Sequence, residues 1–215
     1  MKFPEYPIFL RNNTISPYLI ALSTTSSYAG IRDANNATIY RHVSRNTWIT
    51  IPATKMVAVW SAAPPPYHSR QNDDCQQGEI LSFSCVKSVL YELDVRAIAS
   101  LLHLDCSNNE LEWIHFTGPS GGIHTGPKLL RTLKCSHNRL RGLQLNNLPN
   151  LQVLDCSHNQ IEQLEFKQGA NKLKRLDCST NYLTRVNLGQ LPFLQTYKAT
   201  LNRLTIPKEM WMDQQ

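Results

Sequence analysis

Long apolar runs are missing from this sequence, and its opening residues are a poor match to an export signal. No uninterrupted apolar segment approaches the roughly 18–20 residues that a membrane-spanning helix needs. The opening residues MKFPEYPIFLRNNT make a poor signal peptide, because Pro4, Glu5 and Pro7 break the apolar run and Arg11 stops it. The sequence therefore predicts a protein without a membrane span that is cytoplasmic, is part of a particle, leaves the cell by a route that needs no such leader, or has had its leader removed from this numbering.

Motifs for catalysis and metal binding are scarce as well. None of the six cysteines forms a C-x-x-C pair, so a zinc ribbon or a thioredoxin-type site has little support. The S-G-G run at residues 120–122 is followed by no G-K-[ST], and no nucleophile motif is present. The net charge of +6 favours an acidic partner but is too small to indicate nucleic acid. We expect no enzyme activity, no cofactor and no metal.

The first part of the chain contains no repeat. Segments rich in β-branched and aromatic residues at 18–22, 37–43, 47–51 and 56–60 predict short strands. Residues 1–62 are therefore expected to form a β-rich N-terminal region. A Pro-rich and polar linker is expected at residues 63–79, where three consecutive prolines begin a polar tract.

What the sequence does contain is a repeat, clearest in LQVLDCSHNQIEQL at residues 151–164. With Cys156 as position zero, apolar residues fall at −5, −2, +5, +8 and +10, and Asn159 lies at +3. The same frame fits Cys106, Cys135 and Cys178, and in degenerate form Cys85 and Ala199. Coils of about 21 residues are therefore expected to start near residues 80, 101, 130, 151, 173 and 194. Together they cover residues 80–207, and a tail follows at 208–215.

This pattern resembles the leucine-rich repeat family, L-x-x-L-x-L-x-x-N-x-L, with Cys in place of the third Leu. The short step with cysteine at that position is similar to the cysteine-ladder repeats of bacterial internalin-like surface proteins. The resemblance implies a mostly-β solenoid of the α/β type, right-handed and built of about six coils. It also implies a parallel sheet on the concave face, usually a protein-binding surface. The resemblance does not extend to residues 1–79, where we expect a small β-rich cap.

Two columns of repeated residues are expected to be structural. Leucine and cysteine alternate with polar residues over x-x-L-x-C, which is the period of a strand, so both side chains should point inward. Cysteine suits a tight buried corner as a free thiol, and parallel Cβ vectors on adjacent coils would strain a disulfide. Asparagine at +3 can bond turn backbone groups that would otherwise be buried without partners. These residues are Cys85, Cys106, Cys135, Cys156, Cys178, Asn109, Asn138, Asn159, Asn181 and Asn202.

One coil is longer than the others. The step from Cys106 to Cys135 is 29 residues, and the surplus lies within residues 115–128, which include four glycines and two prolines. This composition predicts a loop extruded from the stack. Such a loop is either a binding loop on a rigid scaffold or a tolerated surface insertion.

The residues at −4, −3, −1, +1 and +2 should point out of the concave face. In the repeat at 151–164 they are Gln152, Val153, Asp155, Ser157 and His158. The resulting strip has mixed charge and few aromatics. Residues 128–208 carry thirteen basic and four acidic residues, which favours a partner with an acidic surface, although a solvated convex side would also explain them. The candidate binding residues are His103, Asp105, Arg131, Lys134, His137, Gln152, Asp155, His158, Lys174, Arg175, Asp177 and Lys198.

The leading hypothesis is a non-enzymatic protein–protein interaction module that uses the concave face and the Gly-rich loop. An alternative is a structural or receptor-binding component of a surface layer or virion. A third hypothesis is an enzyme or metal site at His137 and His158, which share one register on successive coils. Solvated polar residues lining a sheet are the simpler interpretation of that pair.

Overall fold

The computed structural model describes strands within residues 8–62 and then residues 80–96, 98–116, 126–145, 148–166 and 172–205, with side chains from residue 81 onwards. The predicted linker at 63–79, most of the inserted loop and the predicted tail at 208–215 lie outside these residues. The strands are β1 Ile8–Asn12, β2 Tyr18–Thr24, β3 Tyr28–Asp33, β4 Thr38–Tyr40, β5 Thr47–Ile51, β6 Met56–Ala62, β7 Ile80–Ser84, β8 Leu90–Asp94, β9 His103–Asp105, β10 Trp113–His115, β11 Thr132–Lys134, β12 Val153–Asp155, β13 Arg175–Asp177 and β14 Thr196–Lys198. A 3-10 helix spans Leu188–Gln190.

Six of these strands form a parallel stack in the order β14-β13-β12-β11-β9-β7, one strand for each predicted coil. Each short strand holds positions −3, −2 and −1 of the repeat. The register is constant, since Leu154 pairs with Leu133 on one side and with Leu176 on the other. Equivalent residues therefore stack in columns along the sheet. The predicted mostly-β solenoid with parallel strands is confirmed.

The core consists of the inward columns of the repeat. The leucines at −2 from Leu104 to Leu176 are at most 1% exposed, and all five ladder cysteines are fully buried. The frame misses one further column at +13, where Ile98, Leu148 and Leu191 are buried. Each of these three residues donates its backbone N–H to the carbonyl three residues earlier, as in a tight turn. The outer turn of the coil therefore contributes to the core.

A second sheet, in the order β10-β8-β1-β6-β3-β4, joins the repeats to the N-terminal region. Strands β8 and β10 come from the first two coils and run parallel, with Leu93 beside Ile114. The N-terminal strands add to both sheets, because β2 pairs antiparallel with β7 and β1 pairs antiparallel with β8. They thereby cover strand edges that would otherwise be open to other chains. This arrangement forms the cap at the first coil.

The sequence prediction found four of the six N-terminal strands and missed β1 and β3. Strand β3 contains Gly30 and Asp33, which are weak strand formers. It is held by antiparallel pairing with β6 at six successive positions. Within the predicted segment 37–43 the structure describes a strand over Thr38–Tyr40, and the rest of the segment lies outside the described residues. Pairing with neighbours therefore outweighs local propensity in this region.

The last coil leaves apolar groups open to solvent. Tyr197 occupies the −2 position in β14 and is 36% exposed, whereas Leu176 one coil earlier is 1% exposed. Leu201 and Leu204 are exposed as well. The stack therefore has no cover at this end among the residues that the structure describes.

None of the helices in the described part of the chain is long and apolar enough to cross a membrane.

Gly126 closes the neck of the inserted segment. Its φ is +74°, and a Cβ at this position would lie 2.1 Å from the carbonyl oxygen of Phe116. The Gly126 N–H donates to the carbonyl of Arg96 in the first coil at 3.2 Å. The two ends of the insertion therefore touch, and its neck is bonded to the stack.

Replacing Gly126 by alanine should lower the free energy of unfolding by about 2 kcal/mol or more, because the new methyl group meets backbone and φ is in the left-handed region. Denaturant titration measures this loss. The matched control is Gly142→Ala, since a Cβ at Gly142 meets nothing within 4 Å. The control should change stability by less than about 1 kcal/mol. Equal losses in the two variants would contradict this description of the neck.

Candidate functional site: the concave face

The twelve predicted binding residues all reach the surface along the parallel sheet. Eight are exposed, namely His103, Arg131, Lys134, His137, His158, Lys174, Arg175 and Lys198. The other four, Asp105, Gln152, Asp155 and Asp177, are partly buried. The alternation within each strand keeps the side chains at −3 and −1 out of the core, because these positions flank the inward leucine at −2.

The aspartates at −1 also hold the turn that follows each strand. Asp155 Oδ1 accepts the backbone N–H of Ser157 at 3.1 Å and its hydroxyl at 2.7 Å. Asp105 and Asp177 accept the N–H two residues later in the same way. Sequence reasoning missed this role, although D-x-S at the end of a strand is a recognisable Asx-turn signal.

The expectation that the +1 side chains point out of the concave face was wrong for the second, third and fourth coils. Ser157 is 9% exposed, and the equivalent Ser107 and Ser136 are 7% and 8% exposed. The chain bends inward immediately after the cysteine, which places the +1 side chain under the turn. The exposed concave columns are therefore −4, −3, −1 and +2.

Basic side chains on this face fall into two groups. Lys134 and Lys198 each approach the aspartate of a neighbouring coil, with Nζ–Oδ2 distances of 3.9 Å to Asp105 and 3.6 Å to Asp177. Such exposed pairs contribute at most about 1 kcal/mol but reduce the local charge. Arg131, Lys174 and Arg175 form no ion pair with the described residues. We call these three residues the basic patch.

The residues at +2 share an unusual backbone conformation. Lys87, Asn108, His137, His158, Thr180 and Leu201 all have φ between 52° and 56°. This left-handed conformation is unfavourable for residues other than glycine. Hydrogen bonds between coils compensate, since the N–H of His137 donates to Ser157 O at 3.0 Å and that of His158 donates to Ser179 O at 2.9 Å. The turn geometry is therefore imposed by stacking and not by the identity of the residue.

His137 and His158 are brought together by this column. Their ring centroids are 4.1 Å apart and their planes differ by 9°. In parallel stacked imidazoles the nitrogen lone pairs lie in separate parallel planes, so they do not converge on a single ion. Within the described ranges no group of three or more His, Cys, Asp or Glu side chains could hold a metal ion. The pair presents a small flat aromatic surface beside the sheet.

The asparagines at +3 bond each coil to the one before it. Asn159 Nδ2 donates to the carbonyls of Cys156 and Ser157 in its own coil, and to that of Cys135 in the preceding coil at 2.9 Å. Its Oδ1 accepts the N–H of Leu140 at 3.0 Å. Asn138, Asn181 and Asn202 repeat these bonds, and Asn109 does so with the first coil. These side chains provide hydrogen-bond partners for turn backbone groups that stacking shields from water.

The ladder cysteines are free thiols facing the same interior. Burial raises the pKa of the Cys178 thiol to about 12, with the nearby Asp177 carboxylate adding to the shift. Desolvation likewise raises the pKa of Cys85, Cys106, Cys135 and Cys156 well above the ordinary value. The thiols therefore stay protonated at neutral pH and are poor nucleophiles there.

Replacing Asn159 by alanine should lower the free energy of unfolding by about 2–4 kcal/mol, because buried carbonyls and the Leu140 amide lose their partner. Thermal or denaturant unfolding measures the loss. Asn150→Ala is the matched control, since the hydrogen bonds of Asn150 to Lys128 O and Lys172 are exposed to solvent. Its effect should stay within about 0.5 kcal/mol. A loss at Asn159 no greater than that at Asn150 would show that the side chain does not link the coils.

The repeats match a known family. A family model described as leucine-rich repeats in two copies matches residues 128–168 and again residues 149–195. The matched segments contain β11, β12 and β13 together with their asparagines and cysteines. The chain therefore contains leucine-rich repeats, stacked as a solenoid.

One similar solved structure is the functional domain of InlJ from Listeria monocytogenes, which includes a cysteine ladder. The sequences are 30% identical, and the TM-score is 0.46. The match covers 55% of this chain and only 24% of that protein's chain. No curated protein sequence matches the chain.

Proposed function

We propose that this protein is a non-enzymatic protein-interaction module whose partner binds the concave face. Leucine-rich-repeat solenoids are scaffolds of this kind, because they present a long row of side chains on a rigid sheet. The observation that carries the proposal is that the −4 and −3 columns are exposed or partly exposed and are not part of the core. Their residues differ from coil to coil, whereas the leucines, cysteines and asparagines between them repeat.

The basic patch supports an acidic partner surface. Arg131 lies two coils from Lys174 and Arg175, and Gln152 in the coil between them bonds the backbones of both Arg131 and Lys174 at 2.8 Å. The three charges are not balanced by ion pairs within the described residues. A carboxylate-rich partner would gain charge-assisted bonds here, above all with the forked guanidinium groups of the two arginines.

The inserted loop is proposed as a second contact of the same partner. Its neck at Phe116 and Gly126 is closed, and Gly126 is bonded to the first coil. A segment whose two ends are fixed in this way can bind a partner with less loss of entropy than a freely hinged segment.

Photo-crosslinking tests which face is used. A photoreactive phenylalanine analogue is placed at position 175 on the concave face or at position 184 on the opposite side, and crosslinked proteins are identified from the native source. The proposal predicts a discrete protein adduct from position 175 and none from position 184. Adducts only from position 184 would contradict the proposal.

The identified partner is then titrated against charge-reversal variants. Arg175→Glu should weaken binding about tenfold or more, since it removes one charge from the patch and opposes the other two. Lys172→Glu makes the same charge change outside the strand and should weaken binding less than about threefold. Equal losses would show that the basic patch does not contact the partner.

A further inference from the structure

A groove crosses the repeats at positions +6 to +9, on the side formed by the outer segments of the coils. One cavity of about 350 Å³ lies between the third and fourth coils, and a second of about 420 Å³ lies between the fourth and fifth. The two cavities share Gln163 and Glu165 as lining residues. They therefore form a single depression across three coils, which we call the outer groove.

The floor of the outer groove is flat and closed. Gly142 forms an isolated parallel bridge with Gln163, and a Cβ at Gly142 would meet nothing within 4 Å. Leu143 and Leu164 beneath it are only 9% and 5% exposed. No deep apolar pocket is available there for the side chains of a peptide or for an apolar small molecule.

The walls of the outer groove carry three kinds of planar polar group, namely guanidinium, carboxylate and amide groups. They include the guanidinium groups of Arg141 and Arg185, the carboxylates of Glu162 and Glu165, and the amides of Gln163 and Gln190. Each of these groups holds two donors or two acceptors, or one of each, at a fixed separation. Such pairs match vicinal hydroxyl groups on a sugar ring. The mixture of charge signs selects neither an anion nor a cation.

The coil that precedes the groove carries an exposed tryptophan. Trp113 occupies position +7 of the second coil, the position that Gly142, Gln163 and Arg185 occupy in the following three coils. Its side chain is 58% exposed on strand β10. An indole face so placed can stack on the C–H face of a sugar, because it is apolar and rigid yet carries a polar N–H.

We propose that the outer groove binds a neutral oligosaccharide, with Trp113 as a stacking platform and the planar polar groups as hydroxyl partners. The ligand lies along the column of +7 residues and spans at least three coils. This site is on a different face from the basic patch and is independent of the partner bound there.

The test measures retention of the native protein on an immobilised array of neutral oligosaccharides that includes maltotetraose, cellotetraose and chitotetraose, followed by titration of the best binder.

Two variants remove the site. Gly142→Leu adds a side chain to the floor of the groove, where a Cβ meets nothing within 4 Å, and Trp113→Ala removes the platform. Gln195→Leu adds the same leucine on the concave side and serves as the control, and the thermal unfolding of every variant is compared with that of the native chain.

The proposal predicts that Gly142→Leu and Trp113→Ala each weaken binding of the retained oligosaccharide about tenfold, while Gln195→Leu changes it less than about twofold. Failure of the native protein to retain any member of the array would overturn it. So would binding that persists in folded Gly142→Leu. A parallel array of extended peptides tests whether the groove binds a different class of ligand. If no saccharide is retained and a peptide binds the native protein but not Gly142→Leu, the groove is a peptide-binding site and the proposal is wrong.

Discussion

The structure depends on one side chain repeated down the stack, the asparagine at +3. A coil of about 21 residues is too small to bury its own leucines, so it is stable only against its neighbours. Close stacking also buries the backbone of the turn after each strand, where carbonyls and amides of two coils would lack partners. The asparagine bonds both coils at once. Without it, each added coil would gain apolar burial but lose part of that gain to unsatisfied polar groups.

The same stacking determines which residues are available for binding. The register places the leucine at −2 and the cysteine inside, and turns the +1 residue under the bend. The −1 aspartate is partly engaged by that bend as well. Side chains at −4, −3 and +2 are not part of the core, and neither are the +6, +7 and +9 residues on the outer side, whereas the +8 residues Leu143 and Leu164 are buried in it. The two faces carry different chemistry, with uncompensated basic charge on one and a polar groove beside an indole on the other.

The repeat frame predicted the parallel sheet, the inward cysteines and the pairing of His137 with His158, because each depends on a period that the sequence displays directly. It missed the second sheet and the N-terminal strands β1 and β3, since residues such as Gly30 and Asp33 become strand only through antiparallel pairing with distant segments. It also placed Ser157 outside, because a strict strand alternation ignores the bend after the cysteine. The outer groove could not be predicted, since it depends on the absence of a side chain at Gly142 beside polar residues of two other coils.

The stacked coils enclose a single interior that is lined by the cysteines and excludes water. Thiol labelling in the Cys75→Ser variant tests it most directly, because the remaining five thiols are fully buried and protonated at neutral pH. In the native state at pH 8 the five thiols should react only as fast as the protein unfolds, and all five should become reactive together in denaturant. Rapid labelling of Cys106, Cys135 or Cys156 in the absence of denaturant would contradict the account.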